Sequence, residues 1–262
     1  MDRKNEIALI TGASSGIGAA FAKRLARDGF DLVITGRRKE KLDALAEEIN
    51  KNHGINVEVV IAELADDAAL ESLAKKAEAI KELAMLVNNA GYGGNRLFHE
   101  ENFSAELDMV RVHVLASMRL MHAVIPNMVR NGKGTIINVS SVRAFAAGKR
   151  AATYSGTKAF LNRFSESVQI ELLGTGVKVQ ALCPGFTITD FHDKIGIEVS
   201  HRDQGITRWM TPEQVVDISL QHLKTNKVIC IPGFWNKVMA AIPVITPVSL
   251  FYKYAPGMGG KK

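Results

Sequence analysis

The chain has 262 residues, 47% of them hydrophobic, a length that suits one α/β domain with a substantial core or two smaller domains. Its 33 Lys and Arg against 27 Asp and Glu leave a net charge of +6, but the basic residues are interspersed with acids along the helices, without a basic block or interleaved aromatics, which argues against nucleic acid and leaves an anionic, phosphorylated small molecule as sufficient partner for part of the charge. Two cysteines without metal or disulfide spacing and seven scattered histidines argue against a metal centre and a disulfide scaffold.

Residues 1–6 lead straight into an apolar run at 6–10, read as a first buried strand; no signal peptide is expected, and the expected compartment is the reducing cytoplasm. Over 17–29, Ile17, Phe21 and Leu25 fall at helical spacing and Gly29 is a stop signal. A second strand at 31–35 precedes an amphipathic helix at 39–50 with Leu42, Leu45 and Ile49 on one side. A third strand at 56–61, a polar-faced helix at 66–82 and a fourth strand beginning at Met85 continue the rhythm. A long helix at 104–131 carries Leu107, Val110, Val114, Met118 and Met121, a stripe read as core or subunit interface. Then come a fifth strand at 135–139, a helix at 153–173 stopped by Gly174 and Gly176, and a sixth strand at 177–183. Cys183 and Cys230 end apolar runs and read as buried thiols. Residues 186–210 have no firm period, which in a compact domain marks a functional or mobile segment. Pro212 opens another helix at its first position, and 228–231 is a last strand before Pro232-Gly233. Helices alternating with short apolar strands predict a parallel sheet covered on both faces.

Three stretches carry chemistry. Thr11-Gly12-Ala13-Ser14-Ser15-Gly16-Ile17-Gly18 joins the first strand to the first helix, where glycines let the backbone approach a ligand and the helix N-terminus offers free N–H groups to a pyrophosphate. The second strand ends Thr35-Gly36-Arg37-Arg38, with no acid from Thr35 to Lys39 to bond a ribose 2′-hydroxyl; two arginines at a helix start oppose the dipole, and gripping a 2′-phosphate gives them a use. Tyr154-Ser155-Gly156-Thr157-Lys158 puts a phenol and an ammonium on one helix face, where the cation is expected to lower the tyrosine pKa and make Tyr154 an acid/base near neutral pH.

Together with Asn88-Asn89-Ala90-Gly91, Ser141, which stands 13 residues before Tyr154, and Pro184-Gly185, these motifs resemble the short-chain dehydrogenase/reductase family from Ile7 to about Gly233. The resemblance implies a Rossmann-like doubly wound sheet of about seven strands and a cofactor site of Gly12, Ser14, Ser15, Gly16, Ile17 and Gly18. It makes Arg37 the better placed of the two arginines for NADP(H), sets Glu63 and Leu64 at the adenine edge where the family usually has Asp, and has Asn89, Ala90 and Gly91 line the cofactor. Pro184 and Gly185 then turn the chain over the sheet, with Thr187 and Thr189 on the nicotinamide carboxamide and 190–210 as a substrate lid in which Phe191, Ile195, Ile197, Trp209 and Met210 offer apolar contacts. Spacing and resemblance choose Ser141 over Ser140. The implied roles are Ser141 on the substrate carbonyl oxygen, Tyr154 as proton donor or acceptor, and Lys158 on the tyrosine and the nicotinamide ribose. Where the family commonly has an Asn whose main-chain carbonyl holds a relay water, this chain has His113; it keeps that carbonyl in place, joins the relay through its ring, or packs in the helix.

The expected function is therefore an NADP(H)-dependent oxidoreductase interconverting an apolar carbonyl compound and a secondary alcohol. A 3-oxoacyl-thioester reductase of lipid metabolism and a non-catalytic NADP(H)-binding protein are the alternatives. A homodimer or homotetramer through the helices at 104–131 and 153–173 is implied. Residues 1–233 form the catalytic domain, and 234–262 an apolar extension outside the resemblance. Within it 238–252 carries no charge, is too short to span a membrane, and is interrupted by Pro243 and Pro247. Packing of this tail on the protein is preferred to a membrane-interface position.

Overall fold

The computed structural model describes residues 6–189 and 209–246. Seven strands, β1 (Ile7–Thr11), β2 (Asp31–Gly36), β3 (Val57–Ile61), β4 (Leu83–Asn88), β5 (Gly134–Val139), β6 (Val177–Leu182) and β7 (Ile229–Cys230), form one parallel sheet in the order β3-β2-β1-β4-β5-β6-β7. The chain winds outward from β1 to β3, returns to place β4 against β1, and winds the other way, so the crevice at the carboxyl ends of β1 and β4 is the topological switch point where such sheets bind ligands.

The helices are α1 (Gly16–Arg27), α2 (Lys39–His53), α3 (Asp67–Ala79), α4 (Phe103–Val110), α5 (Ala116–Arg130), α6 (Ala152–Glu171), α7 (Pro212–His222) and α8 (Phe234–Ile245). Alternate strand residues feed two cores. Ala8 and Ile10 of β1 join Leu32, Ile34, Val87, Ile137 and Leu182 under α1, α2 and α7. Leu9, Val33, Leu86 and Ile136 pack on the other face with Leu73 and Ala77 of α3, Leu120 and Val124 of α5 and Val168 of α6. The expected doubly wound α/β architecture is thus present, with apolar side chains on both faces of the sheet. Thr211 and Gln214 form a capping box at the start of α7, with Pro212 at its first position as expected.

Four boundaries depart from the sequence reading. The long helix is interrupted by a π turn, Arg111–Leu115, which buries the consecutive residues Val112 and His113 together. The helix expected to reach Glu82 ends at Ala79, because Ile80 is already extended; β4 then starts at Leu83, with a register irregularity against β1 between Ile7 and Ala8. The last strand is two residues long. Pro243 lies inside α8, which ends two residues later at Ile245: the ring removes one N–H donor near the end of the helix, where little helix remains to disrupt. Residues 190–208 of the expected lid, including Phe191, Ile195 and Ile197, and the tail from 247 onward lie outside the described residues. No helix among the described residues is long and apolar enough to cross a membrane.

Candidate active site

The Gly-rich loop leaves β1 and enters α1 under tight steric control. Gly12 and Gly16 adopt φ of +65° and +57°, and a side chain on Gly12 would stand 2.8 Å from the Ala90 Cα. No side chain caps the start of α1, so its first-turn amides are open to an anion. The loop is tied to the end of β4 by Thr11, whose hydroxyl accepts from the backbone N–H groups of Asn89 (2.9 Å) and Ala90 (3.0 Å). The Asn89 amide donates to the carbonyls of Thr11 (2.9 Å) and Gly12 (3.1 Å). Asn88 turns inward and donates to Asn138 of β5 (2.8 Å), which donates to Ser165 of α6 (2.9 Å), a buried polar line joining sheet and helix.

The two arginines separate. Arg38 lies across the loop, donating to Ser14 (2.8 Å) and Ser15 (2.7 Å). Arg37 is exposed and pairs with Glu63 (3.1 Å), while the other Glu63 oxygen accepts from the Ala65 N–H (3.2 Å). Leu64 is buried. Arg37, Glu63, Ala65, Asp66, Tyr92, Asp108 and Val112 line a cavity of about 280 Å³ beside the switch point. Uncapped first-turn amides of α1, glycines at the closest approaches of the loop, the Arg38 guanidinium across it and Arg37 at the adjoining cavity fit a phosphorylated dinucleotide. From the other side, the segment after β6 closes over the loop: the Thr189 methyl fills the space above Gly16, and Thr187 is buried and bridged to Met210. Thr187 donates to the Gly185 carbonyl (3.1 Å). Asn236 of α8 sits on Gly185, where a side chain would collide with it, and donates to the Pro232 carbonyl (2.7 Å).

At the end of β5 the two serines part. Ser140 is buried and donates to the Lys158 carbonyl (2.9 Å), so it holds α6 to the sheet. Ser141 hydrogen-bonds the Tyr154 side chain and accepts from the Arg143 N–H (3.2 Å). Lys158 is buried; its ammonium donates to the Val139 carbonyl (2.8 Å) and stands 5.7 Å from the centre of the Tyr154 ring. Burial lowers its pKa to about 8. The expected depression of the tyrosine pKa by this lysine is not found. Burial raises the Tyr154 pKa, and the opposing pulls come from the Ser141 hydrogen bond and the Arg143 charge. His113 is buried and reaches this group through Thr157, whose hydroxyl lies 2.9 Å from Nδ1.

The sequence does not single out Arg143, Thr157, Tyr92 or Asn236, and it gives Thr11 only as the first residue of the Gly-rich motif. Thr157 alone carried a local signal, a hydroxyl three residues after Tyr154, where it bonds back to the Tyr154 carbonyl (2.9 Å). Both cysteines are free and buried, with thiol pKa values pushed up by burial to about 12. No cluster of metal-ligating side chains occurs among the described residues.

A sequence profile described as short chain dehydrogenase matches residues 6–199. Sulfoacetaldehyde reductase 2 of Chromohalobacter salexigens is 31% identical over 224 residues, covering 82% of this chain and 86% of that protein. A short-chain dehydrogenase of Sphingobium yanoikuyae in complex with NADPH superposes with a TM-score of 0.82 at 33% identity, over 90% of this chain and 93% of that one. The bulky-bulky ketone specific alcohol dehydrogenase of Comamonas testosteroni superposes at 0.78 with 29% identity, over 93% and 96%. With its profile matched over most of its length and its fold shared with these proteins, this chain belongs to the short-chain dehydrogenase family of oxidoreductases.

Proposed function

We propose that the protein is an NADP(H)-dependent oxidoreductase that interconverts a carbonyl compound and a secondary alcohol. The observation that carries this reading is the convergence of Ser141, Tyr154 and Lys158 at the carboxyl end of β5, beside the switch-point crevice. When bound, the nicotinamide supplies or receives the hydride. The protein's share is proton handling. Burial keeps the Tyr154 phenol protonated at neutral pH, as a donor to a substrate oxygen must be; the Ser141 hydrogen bond and the Arg143 charge favour the phenolate left behind. Ser141 stabilises charge developing on that oxygen. Lys158, with a pKa near 8, is mostly charged at pH 7 and offers its remaining N–H donors towards the cofactor ribose.

For the cofactor, Arg37 and Arg38 with Ser14 support NADP(H) over NAD(H): the Arg38 guanidinium lies on the loop that would hold the adenosine half, and Arg37 lines the adjoining cavity with Glu63. An NADPH-bound relative is consistent with this. An apolar ketone is the substrate class we favour, because the Trp209 and Phe186 rings meet at 5.1 Å in a tilted contact and α8 packs against the 3₁₀ turn that follows Ser141. Assembly through α4–α5 and α6 is supported by apolar side chains left outside, among them Phe103 (71% exposed), Leu115, Met118, Phe160 and Ile170. Packing of the tail is supported by α8 burying Asn236 and Ala240, while Phe234, Trp235, Ile242, Val244 and Ile245 face outward. The free, buried thiols suit a reducing cytoplasm. NADPH oxidation followed at 340 nm across a panel of ketones, aldehydes and 3-oxoacyl thioesters tests the proposal; absence of turnover with every member would refute it.

A further inference from the structure

His113 stands where the rest of the site has no titratable group to spare, and its two ring nitrogens are both engaged. Nε2 accepts from the backbone N–H of Tyr92 at 3.1 Å. Nδ1 lies 2.9 Å from Thr157 Oγ1. The single hydroxyl hydrogen of Thr157 goes to the Tyr154 carbonyl, 2.9 Å away, so Thr157 accepts from the imidazole. Only one proton placement satisfies all three bonds: a neutral ring with its proton on Nδ1. The ring is 1% exposed and wedged between two tyrosines, with the Tyr92 and Tyr154 rings each 5.8 Å away in edge-on contact. It also fills the space over Gly91, where a Cβ would stand 2.8 Å from Nε2. The main-chain carbonyl of His113 accepts from Ser117 (2.8 Å).

These bonds connect the two halves of the site. The loop after β4 is held to the Gly-rich loop by Thr11 at Asn89 and Ala90. Two residues on, Tyr92 is held by His113, which is held by Thr157, which is held by the turn of α6 that begins with Tyr154. We infer that His113 is a positioning residue, a neutral imidazole strap locked as its Nδ1–H tautomer, which fixes the loop at Gly91 and Tyr92 against the Tyr154 turn and takes no proton during turnover. The groups facing the ring oppose a second proton. Lys158 is a nearby cation, Tyr92 and Tyr154 are neutral phenols, and burial together with Lys158 holds the imidazole well below its ordinary pKa. Of the three readings open from the sequence, a ring in the proton relay is the one this geometry disfavours.

The kinetic consequence rests on the reductase reading; the tautomer does not. In the intact protein labelled with ¹⁵N-histidine, the His113 signals, identified by their loss in His113→Asn, should show an Nδ1–H tautomer that does not titrate between about pH 5.5 and 9. Thr157→Val, which removes the acceptor, should lower kcat by about 10- to 100-fold while changing the NADPH dissociation constant by less than about threefold. Thr157→Ser should recover most of that loss. His113→Phe and Thr157→Val combined should be no slower than the worse single variant, as for two links of one chain. A His113 ring that titrates in that range or carries its proton on Nε2 would overturn the inference, as would wild-type kcat in Thr157→Val. Should the intact protein turn over no carbonyl compound, the reductase reading fails, and the NMR measurement still decides the strap.

Discussion

Lys158 offers a test in which stability and function pull apart. Its ammonium is buried with the Val139 carbonyl as its protein acceptor, and its pKa falls from 10.5 to about 8. A depression of this size corresponds to about 3 kcal/mol of unfavourable burial of the charged form in the cofactor-free protein. Lys158→Met removes the charge at similar volume but strands the Val139 carbonyl, which costs about 1–2 kcal/mol. At pH 7 the variant should therefore be more stable than the wild type by about 1–2 kcal/mol, while losing turnover. Below pH 8 the lysine is protonated in both native and unfolded chains, so the penalty is constant. Between about 8 and 10.5 the unfolded chain holds a proton that the native one has released, so wild-type stability rises with pH until the penalty is gone. The two stability curves should thus cross within that window. Comparing variant with wild type cancels the opposing titration of Cys183 and Cys230, whose raised thiol pKa values favour the native state less as pH climbs from 9. Urea unfolding of both cofactor-free proteins at pH 7, 8.5 and 10 measures this. A variant less stable at pH 7, or a difference that does not move with pH, would refute the reasoning.

Tyr154→Phe should reduce turnover by about 10²- to 10⁴-fold with NADPH binding nearly intact, because the ring and its contact with His113 survive while the transferable proton does not; stopped-flow and fluorescence titration separate the two effects. Arg37→Asp should lower the NADPH/NADH ratio of kcat/KM by about 10- to 100-fold, since it replaces a charge-assisted donor by an acid already neighboured by Glu63. Light scattering at micromolar concentration should give a dimer or tetramer, and a monomer would leave the apolar faces of α4–α5 and α6 without a cover. Truncation after Gly233 should give poorly soluble protein or an altered substrate preference, because it removes Asn236 from its seat on Gly185, and the intact protein should remain in the supernatant with anionic liposomes.

The inner strands were legible because they are buried on both faces and read as near-continuous apolar runs, as in Leu83–Asn88, while β3 at the sheet edge is only partly covered. The helix at 103–130 shows the limit of periodicity. Its stripe at Leu107, Val110, Val114, Met118 and Met121 has helical spacing, but of these only Met121 is buried; Met109, Val112, Leu120 and Val124 make the rest of the core. Two apolar stripes on one helix give a strong period and no indication of which faces inward. The π turn between the two helical parts was invisible for a related reason: burying Val112 and His113 side by side depends on what α6 and the loop after β4 press against them, not on local propensity.

The site divides along the same line. Tyr154 and Lys158 share a helix, and spacing alone places them on one face; Gly12, Gly16 and Gly18 share a turn. Which of two adjacent serines meets the tyrosine depends instead on how α6 sits on β5. The structure turns Ser140 to the helix backbone and Ser141 to the phenol. Arg37 and Arg38 differ in the same way, one meeting an acid 26 residues ahead and the other two hydroxyls 23 and 24 residues behind. The largest miss, the sign of the Tyr154 shift, has an electrostatic cause. Helix spacing brings an ammonium near the phenol but does not report the cost of burying the phenolate, and Lys158 directs its charge towards Val139. A motif names the groups that meet; the balance between their attraction and the water they give up is a property of the folded site, and at Tyr154 the lost hydration of the phenolate outweighs the attraction.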